Sequence, residues 1–149
     1  MEHFIEKSKG FSLIEILVVV SIIAILIAIN LIAIGRYQNK ANDTTIGANL
    51  SQIRKVAAMV YTDENSYVNI CDATATLNDS YTKYPELKTI EDEVTEVTDV
   101  NPECHSSKKE YCVQTVLISN NYFCIDSNGF AGEIGGDYCS ETNIKCSTP

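Results

Sequence analysis

The chain has 149 residues, and 20 Asp and Glu residues against 11 Lys and Arg give it a net charge of −9. That length corresponds to one ordinary domain. Nucleic-acid-binding domains cluster Lys and Arg on one face, so this acidic balance argues against a DNA or RNA partner.

The N-terminal quarter of the chain holds a long apolar segment. Twenty of the 24 residues from Phe11 to Ile34 are apolar, and as a helix they would extend about 36 Å, enough to cross a bilayer core about 30 Å thick. A secretory signal peptide is the alternative, because Ala33-Ile34-Gly35 resembles a small-x-small cleavage site. The apolar region of a signal peptide, however, is normally only 7 to 15 residues long. We therefore favour a membrane-spanning helix.

Glu15 is an acidic residue inside this apolar segment. A charged side chain in the bilayer costs free energy and calls for a partner. One reading is local, because Ser12 to Glu15 has the pattern of a capping box at a helix start. The other is that Glu15 pairs with a cation from another chain, such as the amino group that cleavage after Gly10 would create on Phe11.

The segment Lys9-Gly10-Phe11-Ser12-Leu13-Ile14-Glu15, followed by the apolar run, resembles the class III signal and N-terminal helix of type IV pilins and pseudopilins. The resemblance implies that a prepilin peptidase cuts after Gly10 and N-methylates Phe11. It also implies that Glu15 neutralises the Phe11 amine of a neighbouring subunit. The implied partners are identical or related pilin subunits, the prepilin peptidase, the pilus assembly machinery and, before assembly, the cytoplasmic membrane.

The expected organisation has three parts. Residues 1–10 form a leader that is removed, residues 11–35 a transmembrane and assembly helix, and residues 36–149 an extracytoplasmic head. The helix is expected to continue to about Asp63, bent or frayed near residues 35–42. Its second half carries an apolar stripe at spacings of four and three, which predicts packing on a core: Ile46, Leu50, Ile53, Ala57 and Val60.

The rest of the head is predicted to be mainly a loop region followed by strands. Residues 66–110 suggest a loop with short ordered pieces, in which the acidic run 90–100 is a short helix or an edge strand with a solvated acidic face. Residues 111–118 and 122–126 predict a hairpin. Asn128-Gly129 predicts a turn with positive φ at both positions, leading into a third strand at 130–134. The expected fold class is α+β, with the long helix packed on a small antiparallel sheet and a disulfide-tied C-terminal tail.

Six cysteines follow the apolar run, an even number typical of disulfides in an oxidising compartment: Cys71, Cys104, Cys112, Cys124, Cys139 and Cys146. Six cysteines allow 15 connectivities, and the sequence does not choose among them. We favour Cys139–Cys146, Cys71–Cys104 and Cys112–Cys124. Zinc usually takes closely spaced cysteine pairs, which this chain lacks.

We expect no metal, cofactor or catalytic site. The two histidines are His3, inside the leader, and His105, in a predicted polar loop. After removal of the leader, a Ser or Cys nucleophile would have only His105 as a histidine base. The predicted function is a structural subunit of a type IV pilus-like extracellular filament, held in the cytoplasmic membrane as a precursor with its head outside. A type II secretion pseudopilin or minor pilin remains an alternative. An alternative of another class is a membrane-anchored extracytoplasmic binding domain that does not polymerise.

Overall fold

The structure, a computed structural model, describes residues 10–147, except for the side chains of residues 30–33. The described residues divide into two compact units after Gln38. The first is helical from Leu13 onwards. The second contains the rest of that helix, a short helix, a four-stranded sheet and three disulfides. The fold class is α+β, as predicted.

Helix α1 runs from Leu13 to Glu64, 52 residues. Of the bend or fraying predicted near residues 35–42, the fraying is wrong, because these residues are helical. A single glycine costs a helix only about 1 kcal/mol, which the neighbouring good helix formers offset. Just after this stretch, the Thr44 and Thr45 hydroxyls donate to the carbonyls of Lys40 and Ala41, at 2.9 and 3.0 Å, so both side chains are satisfied within the helix.

The second half of α1 buries the predicted apolar stripe. All five predicted positions are at most 1% exposed, which confirms the prediction: Ile46, Leu50, Ile53, Ala57 and Val60. They share a core with residues of the sheet and of the second helix. Packing of this face, more than helix propensity, stabilises the second half of α1.

Helix α2 spans Glu86–Thr98 and resolves the ambiguity of the acidic run in favour of a helix. Its apolar residues Leu87, Ile90 and Val94 recur at spacings of three and four, and all three are buried. The helix ends at Asp99, which has a left-handed φ of 58° and donates its amide to the Thr95 carbonyl. Before α2 lies a 3-10 turn, Val68–Ile70.

The sheet has four antiparallel strands in the order β1-β2-β3-β4. The strands are β1 Glu103–Ser106, β2 Tyr111–Val116, β3 Tyr122–Asp126 and β4 Ala131–Ile134. The predicted hairpin and third strand are present. The sequence does not predict strand β1, because its residues Glu-Cys-His-Ser have no preference for strands. This segment is a strand because its backbone pairs with β2.

The turn between β3 and β4 differs from the prediction. Gly129 has a φ of 95°, but Asn128 is not among the residues with positive φ. The Asp126 carboxylate accepts the amides of Asn128 at 2.9 Å and Phe130 at 3.1 Å. The Asp126 side chain therefore stabilises a four-residue loop, residues 127–130, in which Gly129 alone has a positive φ. This loop takes the place of the predicted two-residue turn.

Strands β2 and β3 have two different faces. One face includes Val113 and Ile125, which lie in the core that α1 and α2 share. The other carries Cys112 and Cys124, which lie in a separate cluster with two cysteines of the C-terminal tail. Because strand side chains alternate, the sheet is covered on one face by helices and on the other by the tail.

Two close contacts join α1 to the sheet within the head. The Asp43 carboxylate accepts the Ile118 amide at 2.7 Å, at the loop between β2 and β3. At Gly47 a Cβ atom would lie 2.8 Å from the ring of Phe123. A side chain at position 47 would therefore force the ring and the helix apart.

Gly47→Ala tests this contact. Alanine in an open helical site would stabilise by up to about 1 kcal/mol, but here the displaced ring should reverse the sign and give a loss of about 1 kcal/mol. Denaturant unfolding of the full chain in detergent micelles measures this. Combining Gly47→Ala with Phe123→Leu should recover most of the loss relative to Phe123→Leu alone. Additive losses would contradict the proposed contact.

Candidate functional site

The predicted cleavage point lies in an exposed, non-helical stretch. Gly10 is exposed and precedes the helix, and an added Cβ atom there would meet nothing within 4 Å. Phe11 is 80% exposed. The peptide bond between them is therefore sterically open to a protease. The leader predicted for residues 1–10 lies, apart from Gly10, outside the described residues.

Glu15 lies in the first turn of α1 and faces outward. Its Oε2 accepts the Ser12 amide at 3.2 Å, which is one half of a capping box. The Glu15 amide donates to the Ser12 carbonyl at 3.1 Å, and no bond from it to the Ser12 hydroxyl is present in the described chain. An acidic side chain here is also favoured by the partial positive charge of the helix N-terminus. The capping interaction thus uses one of the two carboxylate oxygens of Glu15.

The helix beyond Glu15 presents its apolar side chains outward. Within the described residues, α1 is the one helix long and apolar enough to cross a membrane, and none of its most apolar window is buried. The exposed residues lie all around the helix; they include Ile16, Leu17, Val20, Ile23, Leu26 and Ile29. This surface requires lipid or other protein as its surroundings.

The six cysteines form three disulfides, Cys71–Cys104, Cys112–Cys139 and Cys124–Cys146, and no described cysteine is free. The favoured pairing of Cys71 with Cys104 is present, but the other two favoured pairs are wrong. Strand register gives the reason. Cys112 lies opposite Asp126, and Cys124 lies opposite Gln114, so the two cysteines are diagonal neighbours. Each is instead bonded to the tail that covers their face.

Gln114 and Asp126 complete this attachment, and sequence reasoning gave neither of them this role. Both are buried on the cysteine-bearing face. The Gln114 Oε1 accepts the amides of Tyr138 and Cys139 at 3.2 and 3.1 Å. The Asp126 Oδ2 accepts the Cys146 amide at 3.1 Å. The period-two spacing Cys112, Gln114 and Cys124, Asp126 is the sequence signal that could have found them.

A cluster of phenols and carboxylates fastens the loop before α2 to the end of α1. The Tyr84 hydroxyl donates to Asp63, and the Tyr81 hydroxyl donates to Glu64. Lys83 Nζ lies 3.1 Å from the Asp63 carboxylate. The hydrogen bond from Tyr84, reinforced by Lys83, lowers the pKa of Asp63, and the bond from Tyr81 lowers the pKa of Glu64. Both carboxylates are therefore held in the ionised form.

Glu91 departs from the predicted solvated acidic face. It is only 6% exposed, on the side of α2 that faces the protein. Burial first, and then the negative charges of Asp79, Asp72 and Asp92, raise its pKa to about 7, and Lys88 partly opposes this. Glu91 is therefore partly protonated near neutral pH.

The described residues contain no group of three or more His, Cys, Asp or Glu side chains arranged to hold a metal ion. His105 lies in β1, not in the predicted polar loop. Its Nε2 is 3.0 Å from Oε1 of Glu103, two residues earlier on the same strand. His105, the histidine considered above as a catalytic base, is therefore paired with a side chain of its own strand.

Glu91 makes the stability of the head depend on pH. Between about pH 4.5 and 7 the folded chain holds a proton that the unfolded chain has lost, so stability falls as pH rises through this window. Glu91→Gln should remove the contribution of Glu91 to the pH dependence and stabilise the head at pH 8 by about 1 kcal/mol or more, because the glutamine amide carries no charge to bury.

Denaturant unfolding of the full chain at pH 4.5 and pH 8 measures this effect. The matched control is Glu93→Gln, which neutralises an exposed carboxylate on the same helix. Equal effects of both substitutions would show that only the net charge of α2 matters.

Comparison with known proteins bears on the N-terminal part of the chain. The family model described as the prokaryotic N-terminal methylation motif matches residues 6–29. No curated protein and no solved structure matches the chain. The matched residues include Gly10, Phe11, Glu15 and most of the exposed apolar helix. The chain therefore carries the class III signal peptide of type IV pilins and pseudopilins, the mark of a pilin-like precursor.

Proposed function

We propose that this protein is a structural subunit of a type IV pilus-like extracellular filament. The observation that carries the proposal is the N-terminal methylation motif at residues 6–29, which precedes and includes a helix with an exposed apolar surface. In this proposal prepilin peptidase cuts after Gly10 and methylates the new N-terminus, Phe11. The subunit then passes from the membrane into the filament through the assembly machinery.

The charge of Glu15 gives a physical reason for assembly. In lipid, an ionised carboxylate is costly unless it is paired. Cleavage creates an amine on Phe11 at the same end of the apolar segment. When the Phe11 amine of one subunit meets Glu15 of another, two charges are neutralised at once. Because both partners lie in an apolar setting, the pair should select the axial register of neighbouring helices.

The apolar surface of α1 would supply the contact area. Lipid chains are as apolar as leucine and isoleucine, so the hydrophobic effect alone does not drive helices together in a membrane. Side-chain packing and the Glu15 charge pair would have to decide assembly. The described helix exposes β-branched residues such as Val18, Val19 and Ile22, which are stiff and lose little rotamer entropy on packing.

The proposal assigns three parts to the chain. Residues 1–10 are the leader, residues 11–35 the membrane-spanning and assembly helix, and residues 36–149 the head. The three disulfides support placing the head outside the cytoplasm, where the environment is oxidising. The precursor would be a single-pass protein of the cytoplasmic membrane, and the assembled form would be extracellular.

Two other functions use the same precursor in different ways. A type II secretion pseudopilin or a minor pilin would be processed in the same way but would form a short or sparse assembly. A membrane-anchored binding domain would keep its helix in lipid and would not polymerise. Electron microscopy of sheared surface material, with mass spectrometry of its main band, separates an abundant filament subunit from these alternatives.

The mature N-terminus is the first testable consequence. Intact-mass and N-terminal analysis of the protein from its native host should give a chain that begins with N-methyl-phenylalanine at Phe11. Since residues 1–10 carry two acidic and two basic residues, the net charge should remain −9. A chain that begins at Met1 would support an uncut anchor and contradict the proposal.

Substitution of Glu15 tests the assembly step separately. Glu15→Val should leave cleavage intact but reduce filament yield by at least about tenfold, because the Phe11 amine loses its partner in lipid. Glu15→Asp keeps the charge and should retain more filaments than Glu15→Val. Normal filament yield from Glu15→Val would contradict the charge-pair mechanism while leaving the processing step standing.

A further inference from the structure

The head has a cleft with a basic rim at one end of the sheet. Both the β1–β2 turn and the β3–β4 turn lie at that end of the antiparallel sheet. Together they border a shallow, open cleft of about 640 Å³, and its lining residues are Ser107, Lys108, Lys109, Glu110, Ser127 and Asn128.

The polar groups of this cleft are incompletely used. Lys108 and Lys109 are exposed and form no ion pair with the described residues. The one carboxylate in the lining, Glu110, lies 3.8 Å from Lys145. Two ammonium groups without an ion pair are suited to an anionic oxygen ligand such as a carboxylate.

The chain itself offers carboxylates of the required kind. On the exposed surface of α2, Glu86, Glu93 and Glu96 form no ion pair with the described residues. Spacings of seven and three place them along one side of the helix. Lys88 is occupied elsewhere, since it lies 3.8 Å from Asp79 and 3.4 Å from Asp92.

Lys55 is a cation of α1 beside this face of α2. It lines a groove with Glu86 and Glu93, but it forms no ion pair within 4 Å in the described chain. Within the described chain, Glu86, Glu93 and Glu96 thus remain without an ion pair, although Lys55 lies in the same groove as two of them.

We infer that Lys108 and Lys109 of one subunit dock on the Glu86, Glu93 and Glu96 face of α2 in a second copy of the chain. This contact rests on the proposed function, because the filament brings the copies together. Residues 36–149 carry 17 acidic and 9 basic residues, a net charge of −8, so the heads repel one another and apposed heads need cations between them. The cleft and the α2 face are separate surfaces, and such a heterologous contact propagates into a helical fibre instead of closing a dimer.

A polyanion is the other partner that two free lysines would suit. The net charge of −8 on the head opposes the approach of free nucleic acid. Neighbouring copies, by contrast, would be held at high local concentration by their assembled helices. The second copy is therefore the better match to the charges of this chain.

The first experiment uses wild-type filaments. Sheared filaments are treated with a zero-length carbodiimide, which joins an amine directly to a carboxylate, and the dimer band from a denaturing gel is analysed by mass spectrometry. We expect linkages from Lys108 or Lys109 to Glu86, Glu93 or Glu96. Dimers linked only through other residues would overturn the inference.

The second experiment reverses the charges in the native host. Lys108→Glu with Lys109→Glu should lower filament yield about tenfold, because like charges then face one another. Adding Glu93→Lys and Glu96→Lys should restore the yield to within about twofold of wild type, because the reversed pairs attract again. The matched control adds Glu133→Lys and Glu141→Lys instead, which gives the same net charge at other positions and should not restore it.

The outcomes separate this contact from the proposed function. All variants should be cut at Gly10 and should keep their disulfides, as intact mass reports. If wild type forms filaments and the lysine reversal does too, the docking contact is wrong and the filament role stands. If wild type forms no filaments in any material from its host, the proposed function fails and the inference with it. Normal filaments together with lysine-dependent retention on heparin would assign the cleft to a polyanion and overturn the inference.

Discussion

The alternation of side chains along β2 and β3 is the constraint on which the head depends. Val113 and Ile125 face the helices, whereas Cys112 and Cys124 face the tail. A shift of one residue in register would bring the cysteines to the helical core and leave the tail without attachment. The sheet is narrow, so both of its faces must be covered for the head to be stable.

Elements with strong local chemistry were predictable from the sequence. The apolar stripe of α1 follows from its spacing, and the hairpin of β2 and β3 from its β-branched residues. The N-terminal motif was recognisable for the same reason, since Gly10, Phe11 and Glu15 lie within six consecutive positions. Each of these signals is complete within a short window of sequence.

Features that depend on distant residues were not predictable. Strand β1 exists because its backbone pairs with β2, and its own letters do not indicate a strand. The two tail disulfides depend on register and on the path of the tail over the sheet, neither of which spacing reveals. The burial of Glu91 depends on how α2 packs against the rest of the head. The sequence alone therefore predicts that this glutamate, like its acidic neighbours, is exposed to solvent.

The attachment of the tail has a consequence for the order of events in biosynthesis. The bridges from Cys112 and Cys124 span 27 and 22 residues of sequence, and each closes on a cysteine that follows every strand. The bridge from Cys112 must wait for Cys139, and the bridge from Cys124 for Cys146, to be synthesised and to meet oxidising conditions. Until then Gln114 and Asp126 lack the backbone amides that they accept from the tail. The tail, which follows all four strands in the sequence, thus completes the structure of segments synthesised earlier, so an interrupted chain is left with an uncovered sheet face and two unpaired thiols.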